Sequence, residues 1–166
     1  DTIDADSIDG GNGDDLILVN DGSTVEGGTG TDSLDIEGTA GIDLIQVGTG
    51  TPSTPVSNVE QITVNGIGGN DLIVVDTSSD PTIQLSITGG DGDDTITALG
   101  GPATIAGDAG RDSILGGELN DVIQGGDGND TANGQAGNDT SSGDAGDDSL
   151  LGGVGNDSLL GVDGND

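Results

Sequence analysis

From Gly89 onward the chain repeats every nine residues without an insertion, and this register restricts its possible folds more than any other feature. The units read GGDGDDTIT, ALGGPATIA, GDAGRDSIL, GGELNDVIQ, GGDGNDTAN, GQAGNDTSS, GDAGDDSLL and GGVGNDSLL, followed by GVDGND ending at Asp166. A short fixed period means stacked units that cover one another, not a single wide core. Position one is Gly in eight of nine units, position four likewise, and position six is Asp in eight of nine, with Ala103 the exception. Position eight carries Ile96, Ile105, Ile114, Ile123, Leu150 and Leu159, but Ala132 and Ser141 in two consecutive units.

Each position has a physical task. Glycines at one and four are expected to allow positive φ and close backbone approach in a tight turn. Positions seven to nine alternate polar, apolar, polar, the pattern of a very short strand buried on one face. Turn and strand together make half a coil, so two units close one turn of a flattened solenoid. The expected fold is all-β, a right-handed parallel β-solenoid with two short parallel sheets. Loops starting at Gly89, Gly107, Gly125, Gly143 and Gly161 then stack on one edge. Those starting at Ala98, Gly116, Gly134 and Gly152 stack on the other, where Asn120, Asn138 and Asn156 align. Strands stack roughly 4.8 Å apart, so the sixth-position carboxylates form columns of like charge. Such columns need cations between their members.

Composition narrows the chemistry. There is no Cys, His, Lys, Met, Phe, Tyr or Trp, and 32 acids face the single cation Arg111, for a formal charge of −31. High charge with modest hydrophobicity is the usual signature of disorder, but a disordered tail has no reason to keep a nine-residue register. Without His or Lys, Ser–His–Asp, Cys–His and Schiff-base chemistry are excluded. A carboxylate-pair glycosidase would lack any aromatic platform for its sugar. The chain is therefore read as non-enzymatic. Sites for Zn, Cu or Fe–S built on His or thiolate are excluded, nucleic acid is excluded as a partner by charge, and no run is long enough to cross a membrane. Carboxylates and turn carbonyls are hard oxygen donors, which suit Ca²⁺ at six to eight ligands better than the tight octahedron of Mg²⁺.

GGDGNDTAN resembles the GGxGxDxUx consensus of the RTX (hemolysin-type) calcium-binding repeats, which form a parallel β-roll. The resemblance runs through residues 89–166. It implies that the sixth-position aspartates Asp94, Asp112, Asp121, Asp130, Asp139, Asp148, Asp157 and Asp166 ligate Ca²⁺ between successive loops of one edge. Counting gaps between competent loops gives about six ions, four on the first edge and two on the second. Ala103, beside Pro102, should leave its site weak or empty, and Leu119 at a fourth position should distort its turn. The family is secreted, commonly by type I systems, and folds on meeting external calcium.

Residues 1–88 carry the same turn at irregular spacing, in GGNGDD, GGTGTD, GTAGID and GIGGND. Their aspartates, Asp15, Asp32, Asp43 and Asp71, are secondary ligand candidates. Longer strands are expected at LILV, LIQV, QITV, LIVV and IQLSI, with residues 49–57 as a loop. The expected organisation is thus a wider, irregular β-helix over 1–88 narrowing into a regular roll over 89–166, within one continuous solenoid. Residue 1 is not Met and residue 166 falls inside a repeat, which reads as an excerpt of a longer protein. Two functions fit: an extracellular structural element (surface layer, sheath, filament or adhesin), or the calcium-dependent folding and secretion module of a larger type I-secreted enzyme or toxin. Both place the chain outside the cell or on its surface, and self-association end to end or laterally is compatible with either.

Overall fold

The structure, a computed structural model, describes residues 7–9, 16–19, 24–26, 33–38, 40–41, 44–48 and 56–166. Every strand pairing in it is parallel. An eight-stranded sheet begins with β2 (Leu16–Val19), β4 (Ser33–Glu37), β7 (Gln61–Asn65) and β9 (Gln84–Asp91). It continues through β11 (Ala103–Ala109), β13 (Val122–Asp127), β15 (Thr140–Ala145) and β17 (Ser158–Asp163). A six-stranded sheet contains β5 (Leu44–Gly48), β8 (Leu72–Asp76), β10 (Thr95–Leu99), β12 (Ser113–Leu115), β14 (Thr131–Asn133) and β16 (Ser149–Leu151). Among the described residues there is no helix, so none that could cross a membrane. The two-sheet parallel solenoid expected from the nonapeptides is the observed fold.

A third sheet was not foreseen. Strands β1 (Ser7–Asp9), β3 (Thr24–Glu26) and β6 (Val56–Ser57) pair in that order. Val56 and Ser57 are therefore strand, not the tail of a loop, because Val56 finds a parallel partner in Val25. The chain visits three sheets in turn through β3, β4 and β5, and again through β6, β7 and β8. After β8 it alternates between two. Register partners fall 28 residues apart from Ser33 to Gln61, 23 from Gln61 to Gln84, and 18 from Thr95 to Ser113 and beyond.

Alternation of side chains across each strand sends one aliphatic column inward from each main sheet. On the six-stranded sheet the column runs Ile45, Ile73, Ile96, Ile114, Ala132, Leu150. On the eight-stranded sheet it runs Ile36, Val64, Ile87, Ile105, Ile123, Ser141, Leu159. Earlier strands bury a second residue as well, as Ile62 does beside Val64 and Val75 beside Ile73. The three-residue strands after Leu99 have room for only one. The core is thinnest where the sequence pattern placed the gap: Ala132 and Ser141 are each 1% exposed, and the Ser141 hydroxyl has no hydrogen-bond partner. Ser141→Val should fill this gap between Ile123 and Leu159 and remove the orphan hydroxyl. A gain of about 1–2 kcal/mol in urea unfolding at saturating calcium is expected; no gain would mean the core is already closed there.

The turns correct one expectation. Positive φ occurs at position four, as in Gly92, Gly110 and Gly128, but also at position two, including Asp108, Gln135, Asp144 and Val162. Position-one glycines are not in that region. They are required by space, because a Cβ on Gly125 would lie 2.5 Å from Asp130 Oδ2 and 2.7 Å from the Gly143 carbonyl oxygen.

Candidate metal centre

The first edge is a stack of loops tied by their backbones. Gly92, Gly110, Gly128 and Gly146 each donate an N–H to the third-position carbonyl of the next coil, at 2.6–2.8 Å. Inside this stack lie the sixth-position aspartates. Asp94, Asp112, Asp130 and Asp148 are 1–6% exposed. Each accepts at Oδ1 a backbone N–H from the corresponding residue one coil back. The run is Asp71 N–H to Asp94, Asp94 to Asp112, Asp112 to Asp130, Asp130 to Asp148, and Asp148 to Asp166, at 2.8–3.1 Å. Asp71 is buried and belongs to this stack, although 23 residues separate it from Asp94. The irregular spacing in sequence had concealed that alignment. Asp15, Asp32 and Asp43 lie outside the described residues.

The second oxygens carry the chemistry. Oδ2 of Asp94, Asp112, Asp130, Asp139 and Asp148 is buried without any hydrogen-bond partner. A buried polar atom left unmatched costs about 1–3 kcal/mol, and more when charged. Five such atoms recur at the sixth position, four on the first edge and one on the second, and their chemistry suits a positive ligand. Beside each is the space kept by the position-one glycine, where the next coil's glycine carbonyl also points: Gly107 beyond Gly89, Gly125 beyond Gly107, Gly143 beyond Gly125. Every donor is oxygen. No three acidic side chains converge among the described residues, so an ion here would take one or two carboxylates and complete its shell with turn carbonyls, which matches the hard, flexible coordination of Ca²⁺.

Electrostatics agree. Burial raises the carboxyl pKa of Asp94, Asp112, Asp121 and Asp130, and that of Asp112 rises to about 6. The backbone hydrogen bond to each opposes the rise, and neighbouring aspartates add to it. Arg111 does not relieve this charge. It sits at position five on the outside, 3.6 Å from Asp93, with 72% of its side chain exposed, where an ion pair contributes little.

The second edge is less uniform. Asp121, Asp139 and Asp157 accept the N–H of Ala103, Asp121 and Asp139 in turn at 2.8–3.0 Å. Asn138 and Asn156 donate their N–H groups to the side-chain oxygens of Asn120 and Asn138, which is the expected asparagine alignment. In the loop containing Leu119, however, Asp121 Oδ2 accepts the Gly117 N–H at 2.7 Å. Neither Gly117 nor Leu119 adopts the positive φ found at positions two and four of the regular loops. Leu119 does change the turn, and the change turns a backbone donor inward.

A family model for the RTX calcium-binding nonapeptide repeat, in four copies, matches residues 1–25, 86–105, 106–141, 115–150 and 133–166. The chain belongs to the RTX calcium-binding repeat family. No curated protein and no solved structure matched it. The RTX match covers both loop stacks from residue 86 onward and, at residues 1–25, the first of the irregular turns. RTX repeats bind calcium as a structural element of a β-roll.

Proposed function

We propose that this RTX solenoid is a secreted calcium-folded rod, acting as an extracellular structural element. The observation that carries it is the row of partnerless Oδ2 atoms, because each buried, ionised carboxylate destabilises the stack at neutral pH and a cation between coils offsets that cost. The ligands would be Asp71, Asp94, Asp112, Asp130, Asp148 and Asp166 on the first edge, with Asp139 and Asp157 on the second. That arrangement accommodates five ions on the first edge and at least one on the second. The stretch 1–88 would be a wider opening segment of the same solenoid. The exposed seventh-position columns, Thr95–Ser113–Thr131–Ser149 and Thr104–Val122–Thr140–Ser158, bear no charge. Lateral packing of rods through these faces, once calcium has neutralised the edges, suits a layer or filament.

The test is far-UV circular dichroism during Ca²⁺ titration, with Mg²⁺ as control. A steep gain of β signal at about 10⁻⁴–10⁻³ M Ca²⁺, the range of extracellular modules, is expected, with Mg²⁺ largely ineffective. An identical response to Mg²⁺, or none to either ion, would refute calcium as the organising ligand.

A further inference from the structure

The two edges of the solenoid differ in what holds them at their start. On the first edge every described rung from Asp94 to Asp148 leaves a carboxylate oxygen open. On the second edge the rungs from Thr77 to Asp121 are closed by the protein itself. The segment between β8 and β9 has no GGxGxD loop. In its place Thr77, 3% exposed, donates its N–H to the Leu99 carbonyl at 2.7 Å. Its hydroxyl also reaches Leu99 O at 3.3 Å and accepts the Gly101 N–H at 3.0 Å. The coils touch here: a Cβ on Gly101 would collide with the Ile83 carbonyl, and one on Gly100 with the backbone of Thr77 and Ser78. One coil on, Asp121 accepts Ala103 N–H at Oδ1 and Gly117 N–H at Oδ2, at 2.8 and 2.7 Å. Among the buried sixth-position aspartates of the second edge, Asp121 thus has both oxygens matched, whereas Asp139 has an open Oδ2.

The same region has the strongest core. Strands β8 and β10, and β7 and β9, pair over five residues and bury two aliphatic side chains each. From β12 onward the pairings on the six-stranded sheet shorten to three residues, and beyond Asp121 the small residues Ala132 and Ser141 enter the core.

We propose that the second edge is closed without metal from Thr77 to Asp121, so that the coils from Gln61 to Leu115 persist when calcium is withdrawn and template the coils that follow. Rests of this kind matter because a parallel coil is costly to nucleate and inexpensive to extend once a partner strand is present. The proposal builds on the calcium reading but makes separate demands. It assigns Asp121 to the fold and not to an ion.

Residue-resolved amide hydrogen exchange at neutral pH, with and without a calcium chelator, tests it. In chelator, amides of β7 to β11, including Gly101, should exchange at least tenfold more slowly than those of residues 125–166. Calcium should then extend protection to residue 166. Thr77→Val keeps the shape but removes the acceptor for Gly101, and should abolish that chelator-resistant protection while leaving the calcium-loaded pattern in place. Calcium stoichiometry gives a second readout: Asp121→Asn should bind as many ions as the parent, whereas Asp130→Asn should bind fewer. Uniform loss of protection in chelator, or protection surviving first in 125–166, overturns the template; loss of an ion in Asp121→Asn overturns the metal-free rung. Protection of 125–166 that ignores calcium altogether would count against the calcium reading instead, and leaves the comparison at Gly101 intact.

Discussion

Gly125→Ala is expected to raise the calcium concentration needed for folding about tenfold or more, equivalent to ~1.4 kcal/mol, although it adds one methyl group. Gly125 is buried, and its φ is one that alanine tolerates, so the effect cannot come from backbone strain. It comes from space. The new Cβ would stand 2.5 Å from Asp130 Oδ2, 2.7 Å from the Gly143 carbonyl oxygen and 3.1 Å from Asp130 Cβ. These two oxygens are the ones an ion between the loops would use. Moving either aside opens the stack, and overpacking a rigid site alone costs about 1–3 kcal/mol. Gly117→Ala is the matched control. Its Cβ would meet Ala98 O at 3.1 Å and Gly100 N at 3.4 Å, tight but open to small adjustment, and no open carboxylate oxygen lies beside it. Calcium titration of both variants by circular dichroism separates the cases. Equal midpoints for Gly125→Ala and the parent would show that the glycine cradle is not part of the metal centre.

That cradle marks a boundary of what could be read from the residues alone. Period, strand position and coil closure were legible because each rests on local rules: alternation within a triplet, glycine in turns, and eighteen residues for a two-sheet coil. The thin core at Ala132 and Ser141 was legible for the same reason. The reason for glycine at position one was not, because the atoms that forbid a side chain come from the neighbouring coil. Non-glycine residues at positive φ, such as Asp108 and Val162, were equally hidden, since the coil imposes that geometry on whatever residue stands at position two. Asp71 looked isolated by spacing, yet parallel pairing of β7 with β9 brings its loop onto the first edge. Thr77 carried no motif at all. Its signal was negative, a coil's edge without GGxGxD, and only the approach of Gly101 gives its hydroxyl a task.

Acid should partly replace calcium. Before metal enters, Asp94, Asp112, Asp121 and Asp130 have raised pKa values, chiefly from burial, with Asp112 near 6. A carboxyl whose folded pKa exceeds its unfolded value binds protons more tightly in the folded chain. Its contribution is therefore fully present below the unfolded value of about 3.9 and lost as pH rises through the folded value. The metal-free roll should gain β signal as pH falls from 7 through 6 toward 4. Calcium reverses the sign, because bound ions require ionised ligands and protons displace them; over the same interval the calcium midpoint should move to higher concentration. The exposed acids also repel one another less as they are protonated, and salt tells the two apart. About 1 M salt shortens the screening length to roughly 3 Å and suppresses repulsion between exposed charges, while leaving the desolvation of a buried carboxyl in place. Circular dichroism in calcium-free buffer from pH 7 to 4, at low and high salt, is the measurement. A pH-dependent gain that survives high salt assigns the effect to the buried columns. A gain that salt alone reproduces at pH 7 would mean that surface charge, and not the stacked aspartates, keeps the metal-free chain open.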